Sequence, residues 1–236
     1  MDDHDRSKII EFPVHRRGSL ADTLRGFPER EDGPRWKGTR REETVSLLVA
    51  DLRGHREIAA QLGAPEADEQ VTEALTAAVE VVRAAGASSV SVGGGASRPV
   101  VAAEFVGSGH APAALDAAVR LLREVERTAD GVAACAGINT GSVVDTTLEG
   151  ATPVAYRAMG TLRMFAVRLQ EFAGPGQIFA SASTVAALAP GQARFRSIGQ
   201  VRTNAGGETA EAFSLIELVR PARTAEHRSQ RTADSG

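Results

Sequence analysis

The sequence predicts an α+β domain in which helices pack against one face of a largely antiparallel sheet. An aliphatic run that begins at Thr44, TVSLLVADLRG, is typical of a buried central strand that ends in a loop. Residues 64–86 and 112–127 repeat apolar side chains at the spacing of an amphipathic helix. Short strand-like segments lie before, between and after these helices. This order of elements is typical of helices layered on an antiparallel sheet.

The first predicted helix follows Gly63 and stops near Gly86. Pro65 suits a first helical turn, and Glu66 and Asp68 place negative charge at the positive end of the helix. Its expected inward stripe is Val71, Leu75, Ala78, Val79 and Val82. The expected inward stripe of the second helix is Leu115, Ala118, Val119, Leu122 and Val125.

Between these helices, the segments SSVSV and RPVVAAEF predict two strands joined by GGGAS. Gly93, Gly94 and Gly95 permit the backbone angles of a hairpin turn. A phosphate-binding loop is the alternative interpretation, but the consecutive Lys and Ser/Thr that complete a Walker motif do not follow these glycines. We therefore expect a hairpin.

The segment VAACAGINTGSVVDTTLEG predicts a strand, a turn at residues 139–141, and a second strand. Cys135 lies in the first of these strands. No nearby His or basic cluster would lower its pKa, so we interpret it as a buried structural thiol.

The stretch YRAMGTLRMFAVRL, residues 156–169, contains a helix that begins after a glycine. Met164 and Arg168 are four residues apart and therefore share one face of this helix. The opposite stripe is apolar and is expected to face the core: Leu162, Phe165, Ala166, Leu169 and Phe172. The segments QIFAS, STVAALA, FRSIGQV and EAFSLIEL then predict a strand, a small helix and two final strands.

Composition limits the class of protein. The net charge of −3 offers no electrostatic case for nucleic-acid binding. A single cysteine excludes an internal disulfide and a multi-cysteine zinc site, which fits a reducing cytoplasm. No apolar run is long enough to span a bilayer, and the acidic start MDDHDRSK is unlike a signal peptide. We expect a cytoplasmic protein with no membrane span.

Both ends of the chain are expected to lie outside the folded domain. Residues 1–43 are rich in both charge signs and predict a disordered or loosely docked arm, and residues 221–236 predict a disordered tail. Within the arm, Leu20, Leu24 and Phe27 would share one face of a short helix. A protein partner that binds through this arm is therefore one expectation, and a solvated tail is the other.

Several of these segments, in this order, resemble the class III nucleotide cyclases, whose catalytic part is called the cyclase homology domain. The resemblance covers about residues 44–220 and rests on VSLLVADLRG, GINTGSVV, YRAMG, FAVRLQ and GPGQIFAS. It implies a ferredoxin-like βαββαβ core with extra strands. It also implies a homodimer with ligand sites at the interface between the two subunits.

In that family, two aspartates hold two metal ions that activate the ribose 3′ hydroxyl and bind the triphosphate of ATP or GTP. Cations at both positions compensate the charge of in-line attack on phosphate. An Asn and an Arg on a helix orient the ribose and stabilise the transition state, and a Lys reads the base.

The resemblance assigns these roles to positions that this chain has mostly changed. Asp51 stands at the first metal position, whereas the hairpin that should carry the second aspartate and the Lys reads SVGGGASRP. Arg157 stands at a base-reading position, Met164 at the position of the Asn, and Arg168 at the position of the Arg. A lone aspartate does not hold two hard cations, and Met does not donate the hydrogen bond that Asn supplies. We therefore expect no intact catalytic set, with Arg168 as its remnant.

The expected ligand site lies in the former active-site cleft, with Asp51 also as a remnant metal ligand. Its predicted residues are Asp51, Leu52, Gly94, Phe105, Arg157, Met164 and Arg168. No cofactor is expected, and Mg or Mn would enter only with residual nucleotide binding. Asp51 and Arg168 have a purely structural interpretation as well.

Three functions remain open at this point. The first is a non-catalytic dimeric regulator or sensor that binds a small organic molecule in the cleft, because methionine adapts to apolar ligands. The second is a divergent cyclase that is active only with a partner subunit. The third is a purely structural dimerisation module.

Overall fold

The computed structural model describes residues 40–95, 97–148, 154–203 and 207–219. The predicted arm helix around Leu20, Leu24 and Phe27 and the tail 221–236 lie outside these residues. The strands of the described residues are β1 (Arg40–Arg53), β2 (Ser89–Gly95), β3 (Arg98–Phe105), β4 (Ala133–Leu148), β5 (Val154–Ala158), β6 (Ile178–Ser181), β7 (Ala193–Arg202) and β8 (Thr209–Leu218). The helices are α1 (His55–Leu62), α2 (Ala64–Ala84), α3 (His110–Thr128), α4 (Thr161–Phe172) and α5 (Ala182–Ala186).

The strands form one sheet in the order β2-β3-β1-β4-β6-β8-β7, with β5 paired to β4. The pairs are antiparallel except β4 with β6, which is parallel. The first four strands with α2 and α3 make a βαββαβ unit with the order β2-β3-β1-β4. The predicted ferredoxin-like core with extra strands is therefore confirmed.

The helices cover both faces of the sheet, so the prediction that they pack on one face is wrong. Leu48, Ala50 and Leu52 of β1 pack in the same cluster as the apolar stripes of α2 and α3. Val45, Leu47 and Val49 pack with Leu162 and Ala166 of α4 in a separate cluster. Because successive side chains of a strand point to opposite faces, the continuous aliphatic run of β1 is buried between two layers of helix.

The turn predicted at residues 139–141 does not form, because β4 continues through it. Asn139 pairs with Leu47 in the register of β1 and β4, and its side-chain amide donates to the carbonyl oxygen of Leu162 at 3.0 Å. Thr140 shares a hydrogen bond with Ser46 at 2.7 Å. Long pairing with β1 and these buried partners override the local turn preference of Asn and Gly.

Several elements differ from the predictions, and strand β5 was not predicted. Strand β1 begins at Arg40, four residues before the predicted start of the domain at Thr44. Helix α1 was not predicted, because Ile58 is its single buried residue and the segment has no apolar stripe. Helix α3 begins at His110, two residues earlier than expected.

Among the described helices, none is both long and apolar enough to cross a membrane.

Candidate ligand site around Asp51

Asp51 lies near the end of β1 on the face that α4 covers, and it is fully buried. Three donors converge on one of its carboxylate oxygens, Oδ2. Arg53 Nε and Gln170 Nε2 each donate to it at 3.0 Å, and Arg98 Nη2 also donates to it. The other oxygen, Oδ1, is buried and has no hydrogen-bond partner among the described residues. The carboxylate is therefore an internal counter-ion for two guanidinium groups.

Arg98 reaches Asp51 because of the hairpin between β2 and β3, which the sequence predicted. Gly94 in this hairpin has a φ of +81°, and a Cβ at Gly94 would clash with the carbonyl oxygen of Arg98. Val100 pairs with Asp51, and Arg98 lies two positions earlier on the same face of β3. The hydrogen bond and the charge of Asp51 are the main causes that raise the pKa of Arg98 above its usual value.

Gln170 and Cys135 are the buried neighbours of Asp51 on α4 and β4. Gln170 is a buried residue of α4, and its amide nitrogen lies 3.7 Å from the sulfur of Cys135 as well as 3.0 Å from Asp51. Cys135 pairs with Asp51 in the register of β1 and β4 and is fully buried. Burial raises the pKa of the Cys135 thiol, which fits the predicted structural role.

Asp51 offers a divalent metal at most one free carboxylate oxygen, the Oδ1 that has no hydrogen-bond partner among the described residues. A metal ion needs carboxylate oxygens that are free to bind it and more than one such ligand. Here Oδ2 already accepts three hydrogen bonds, two of them from cations. The described residues contain no group of three or more His, Cys, Asp or Glu side chains that could hold a metal ion. The remnant metal role of Asp51 therefore stays a prediction, and the three donors on Oδ2 weigh against it.

Arg157 is held by carboxylates of its own chain. It lies on β5 and donates from Nη1 to both oxygens of Asp145, at 3.1 and 2.9 Å. Its Nε lies 3.0 Å from Oε2 of Glu104, and its Nη2 lies 3.5 Å from Oε2 of Glu43. The contacts with Asp145 are hydrogen bonds, whereas Nε and Nη2 have ion-pair distances but no hydrogen-bond partner among the described residues. To read a base, Arg157 would have to break these ion pairs.

Met164 and Arg168 share the outer face of α4, as predicted. Met164 is 46% exposed. The Arg168 side chain is 40% exposed and forms an ion pair with Glu171 at 3.1 Å. Both side chains are therefore accessible in the single chain.

The structure does not bring Leu52 and Phe105 to Asp51. Both are buried in the cluster that packs against α2 and α3, on the opposite face of the sheet. Leu52 follows Asp51 directly in β1, so strand alternation turns the two side chains in opposite directions. Gly94 is exposed in the hairpin, where it supports Arg98.

Three partners of Asp51 were missed by the sequence analysis: Arg53, Arg98 and Gln170. The sequence contained a signal for Arg98, because the hairpin segment expected to supply a carboxylate and a lysine contains this arginine instead. Arg53 is also two residues from Asp51 on the same strand, which places both side chains on one face. No comparable signal pointed to Gln170, since it lies 119 residues from Asp51.

No protein-family model and no curated protein sequence matches this chain. Solved structures do match it. The adenylyl cyclase CyaB from P. aeruginosa is 16% identical with a TM-score of 0.61, over 77% of this chain and 98% of that one. The guanylyl cyclase Cya2 is 20% identical with a TM-score of 0.61, over 79% and 97%.

The non-canonical dimeric guanylyl cyclase domain of the RhoGC fusion protein from the aquatic fungus Blastocladiella emersonii is 15% identical with a TM-score of 0.59. That match covers 76% of this chain and 99% of the fungal domain. Identities this low establish the fold and leave the chemistry to the residues of the site. This chain has the fold of the adenylyl and guanylyl cyclase domains.

Proposed function

We propose that this chain is a non-catalytic, cyclase-like regulator that acts as a homodimer and binds a small ligand beside Asp51 and α4. The observation that carries the proposal is the pairing of Asp51 with Arg53, Arg98 and Gln170. Nucleotide cyclisation needs bound metal ions that neutralise both the attacking oxygen and the leaving pyrophosphate. In this chain, fixed guanidinium groups neutralise the aspartate that would hold such cations.

The changes on α4 and β5 support the same conclusion. Met164 supplies no hydrogen bond to a ribose. Arg157 is engaged by Asp145, Glu104 and Glu43. Arg168 remains accessible and charged, which suits ligand binding without a reaction.

The homodimer is proposed from the fold and from the exposed face of α4. The fungal guanylyl cyclase domain with this fold forms a dimer that is described as non-canonical. Met164 and Arg168 would face the partner or a ligand shared with it. Sedimentation velocity on the full chain measures the assembly, and a species with twice the mass of 24.7 kDa is expected. A monomer at micromolar concentration would contradict this part of the proposal.

Catalysis is tested directly with purified protein, manganese, and ATP or GTP, followed by chromatography for the cyclic nucleotide. We expect no product. The adenylyl cyclase CyaB, assayed in parallel with ATP, is the positive control. Product from the purified chain would refute the non-catalytic proposal. Product only after addition of cell extract would support a divergent cyclase that needs a partner subunit.

Ligand binding is tested by native mass spectrometry of protein taken from its producing cell. A dimer that carries additional small-molecule mass is the expected result. The ligand should dissociate when the protein is denatured. The ligand-bound species should be less abundant or absent in Met164→Glu, which adds negative charge beside Arg168. A dimer that never carries a ligand would support the purely structural module instead.

A further inference from the structure

The two guanidinium groups on Asp51 carry more positive charge than their carboxylate neutralises. Arg53 and Arg98 both donate to the single oxygen Oδ2. Glu171 also raises the pKa of Arg98, as a minor cause after Asp51, and Glu171 pairs with Arg168. The three side chains of Arg53, Arg98 and Asp51 together therefore carry one net positive charge.

Both guanidinium groups keep donors for a second partner. Each has five N–H groups, and Asp51 uses one nitrogen of each. The Arg98 side chain is 55% exposed and that of Arg53 is 28% exposed, whereas the Asp51 side chain is 1% exposed. The carboxylate is thus buried, whereas both arginine side chains are partly exposed to solvent.

Asp51 also fixes the two cations side by side. Because each donating nitrogen lies at hydrogen-bond distance from the same oxygen, the two nitrogens are at most about 6 Å apart. Two free arginines would repel each other at this separation. The buried carboxylate of Asp51 offsets the repulsion between the two arginines before a ligand binds. Such preorganisation raises the affinity for the ligand.

We propose that Arg53 and Arg98 form a binding site for an oxyanion, a phosphate or a carboxylate group, that requires no divalent metal. The inference rests on the proposed ligand-binding function and narrows its ligand class. The free edges of the two guanidinium groups donate to the oxyanion in the paired geometry that arginine favours. Asp51 is a positioning residue, because it contacts the arginines and is itself buried.

The test is a calorimetric titration of the full chain in EDTA at low ionic strength, with inorganic pyrophosphate in one arm and citrate in the other. The tighter ligand identifies a phosphate or a carboxylate head group. Arg98→Gln and Arg53→Gln should each weaken binding about tenfold or more, since each removes one charge-assisted contact. Arg98→Lys should give an intermediate loss, because lysine keeps the charge without the planar fork.

The matched control is Arg120→Gln on α3. Arg120 is 43% exposed and forms an ion pair with Asp116 at 3.6 Å, so the substitution removes the same charge at a distant surface. Binding by this variant should stay within about twofold of the unsubstituted chain. Circular dichroism confirms that each variant is folded.

Absence of binding by the unsubstituted chain to both oxyanions overturns the inference. An equal loss in Arg120→Gln, or binding that appears only with Mg²⁺, also overturns it. Each of these results leaves the non-catalytic proposal standing, because that proposal fails only if the purified chain makes a cyclic nucleotide.

Discussion

The guanidinium of Arg98 donates a hydrogen bond to the buried carboxylate of Asp51, although the two residues are 47 positions apart in sequence. Strand pairing makes this contact, since Val100 lies opposite Asp51 in the register of β1 and β3. Arg98 therefore stands where the resemblance to the cyclases leads one to expect metal chemistry.

Replacement of Asp51 by Asn should destabilise the domain by about 2 kcal/mol, because the charged acceptor of two arginines is lost. If the Asn oxygen takes the place of Oδ2, its NH₂ group takes the place of Oδ1, which is buried and has no partner. Urea unfolding measures the loss. Asp68→Asn is the control, since Asp68 is 62% exposed and pairs with His55. Equal stability of the Asp51 variant and the unsubstituted chain would show that the arginines do not depend on this carboxylate.

Substitution of Gly94 by Ala should strain the hairpin and displace Arg98. Gly94 has a φ of +81°, and its added Cβ would clash with the carbonyl oxygen of Arg98. The expected destabilisation is about 2 kcal/mol, with weaker oxyanion binding in the calorimetric titration. Gly93→Ala is a matched control one residue away, because an added Cβ there has no neighbour within 4 Å. A similar effect of both substitutions would contradict the role assigned to Gly94.

Gly137 of β4 allows α4 to approach the sheet closely enough for Gln170 to reach Asp51. A Cβ at Gly137 would clash with the carbonyl oxygen of Ala166 and the backbone nitrogen of Gln170. Gly137→Ala should therefore cost about 3 kcal/mol, since a packed helix must shift. Thermal unfolding checks this, with Gly109→Ala as the control at a site where an added Cβ has open space. A melting temperature unchanged in Gly137→Ala would exclude this close approach.

Cys135 should make the domain less stable at alkaline pH. Because burial raises the pKa of the folded thiol, the unfolded chain loses this proton first as the pH rises. The contribution of the protonated thiol to the free energy of unfolding is complete below the unfolded-state pKa of about 8.5. It declines as the pH rises above that value and through the pKa of the folded thiol. Urea unfolding at pH 7.5 and 9.5 tests this against Cys135→Ala, whose stability should fall less over the same interval. The native thiol should also resist alkylation until the chain unfolds, and rapid native alkylation would contradict its burial.

Much of the fold followed from local patterns in the sequence. The stripe from Val71 to Val82 forms α2 with Pro65 in its first turn, and the glycine run forms the hairpin of β2 and β3. These features depend on neighbours within a few residues, so periodicity and turn chemistry report them. The segment at Asn139 was predicted as a turn but is part of β4. Its hydrogen-bond partners, Leu162 and the residues of β1, come from distant parts of the chain.

The sequence by itself determined the α+β class, the βαββαβ order, and the loss of carboxylates from the hairpin. Only the tertiary structure decided which side chains meet. The register of β1 with β3 brings Arg98 to Asp51, and the close approach of α4 to β4 at Gly137 adds Gln170. Strand alternation sends Leu52 and Phe105 to the other face. The physical reason is that one residue of register reverses the face of every side chain in a strand, and no local pattern reports the register.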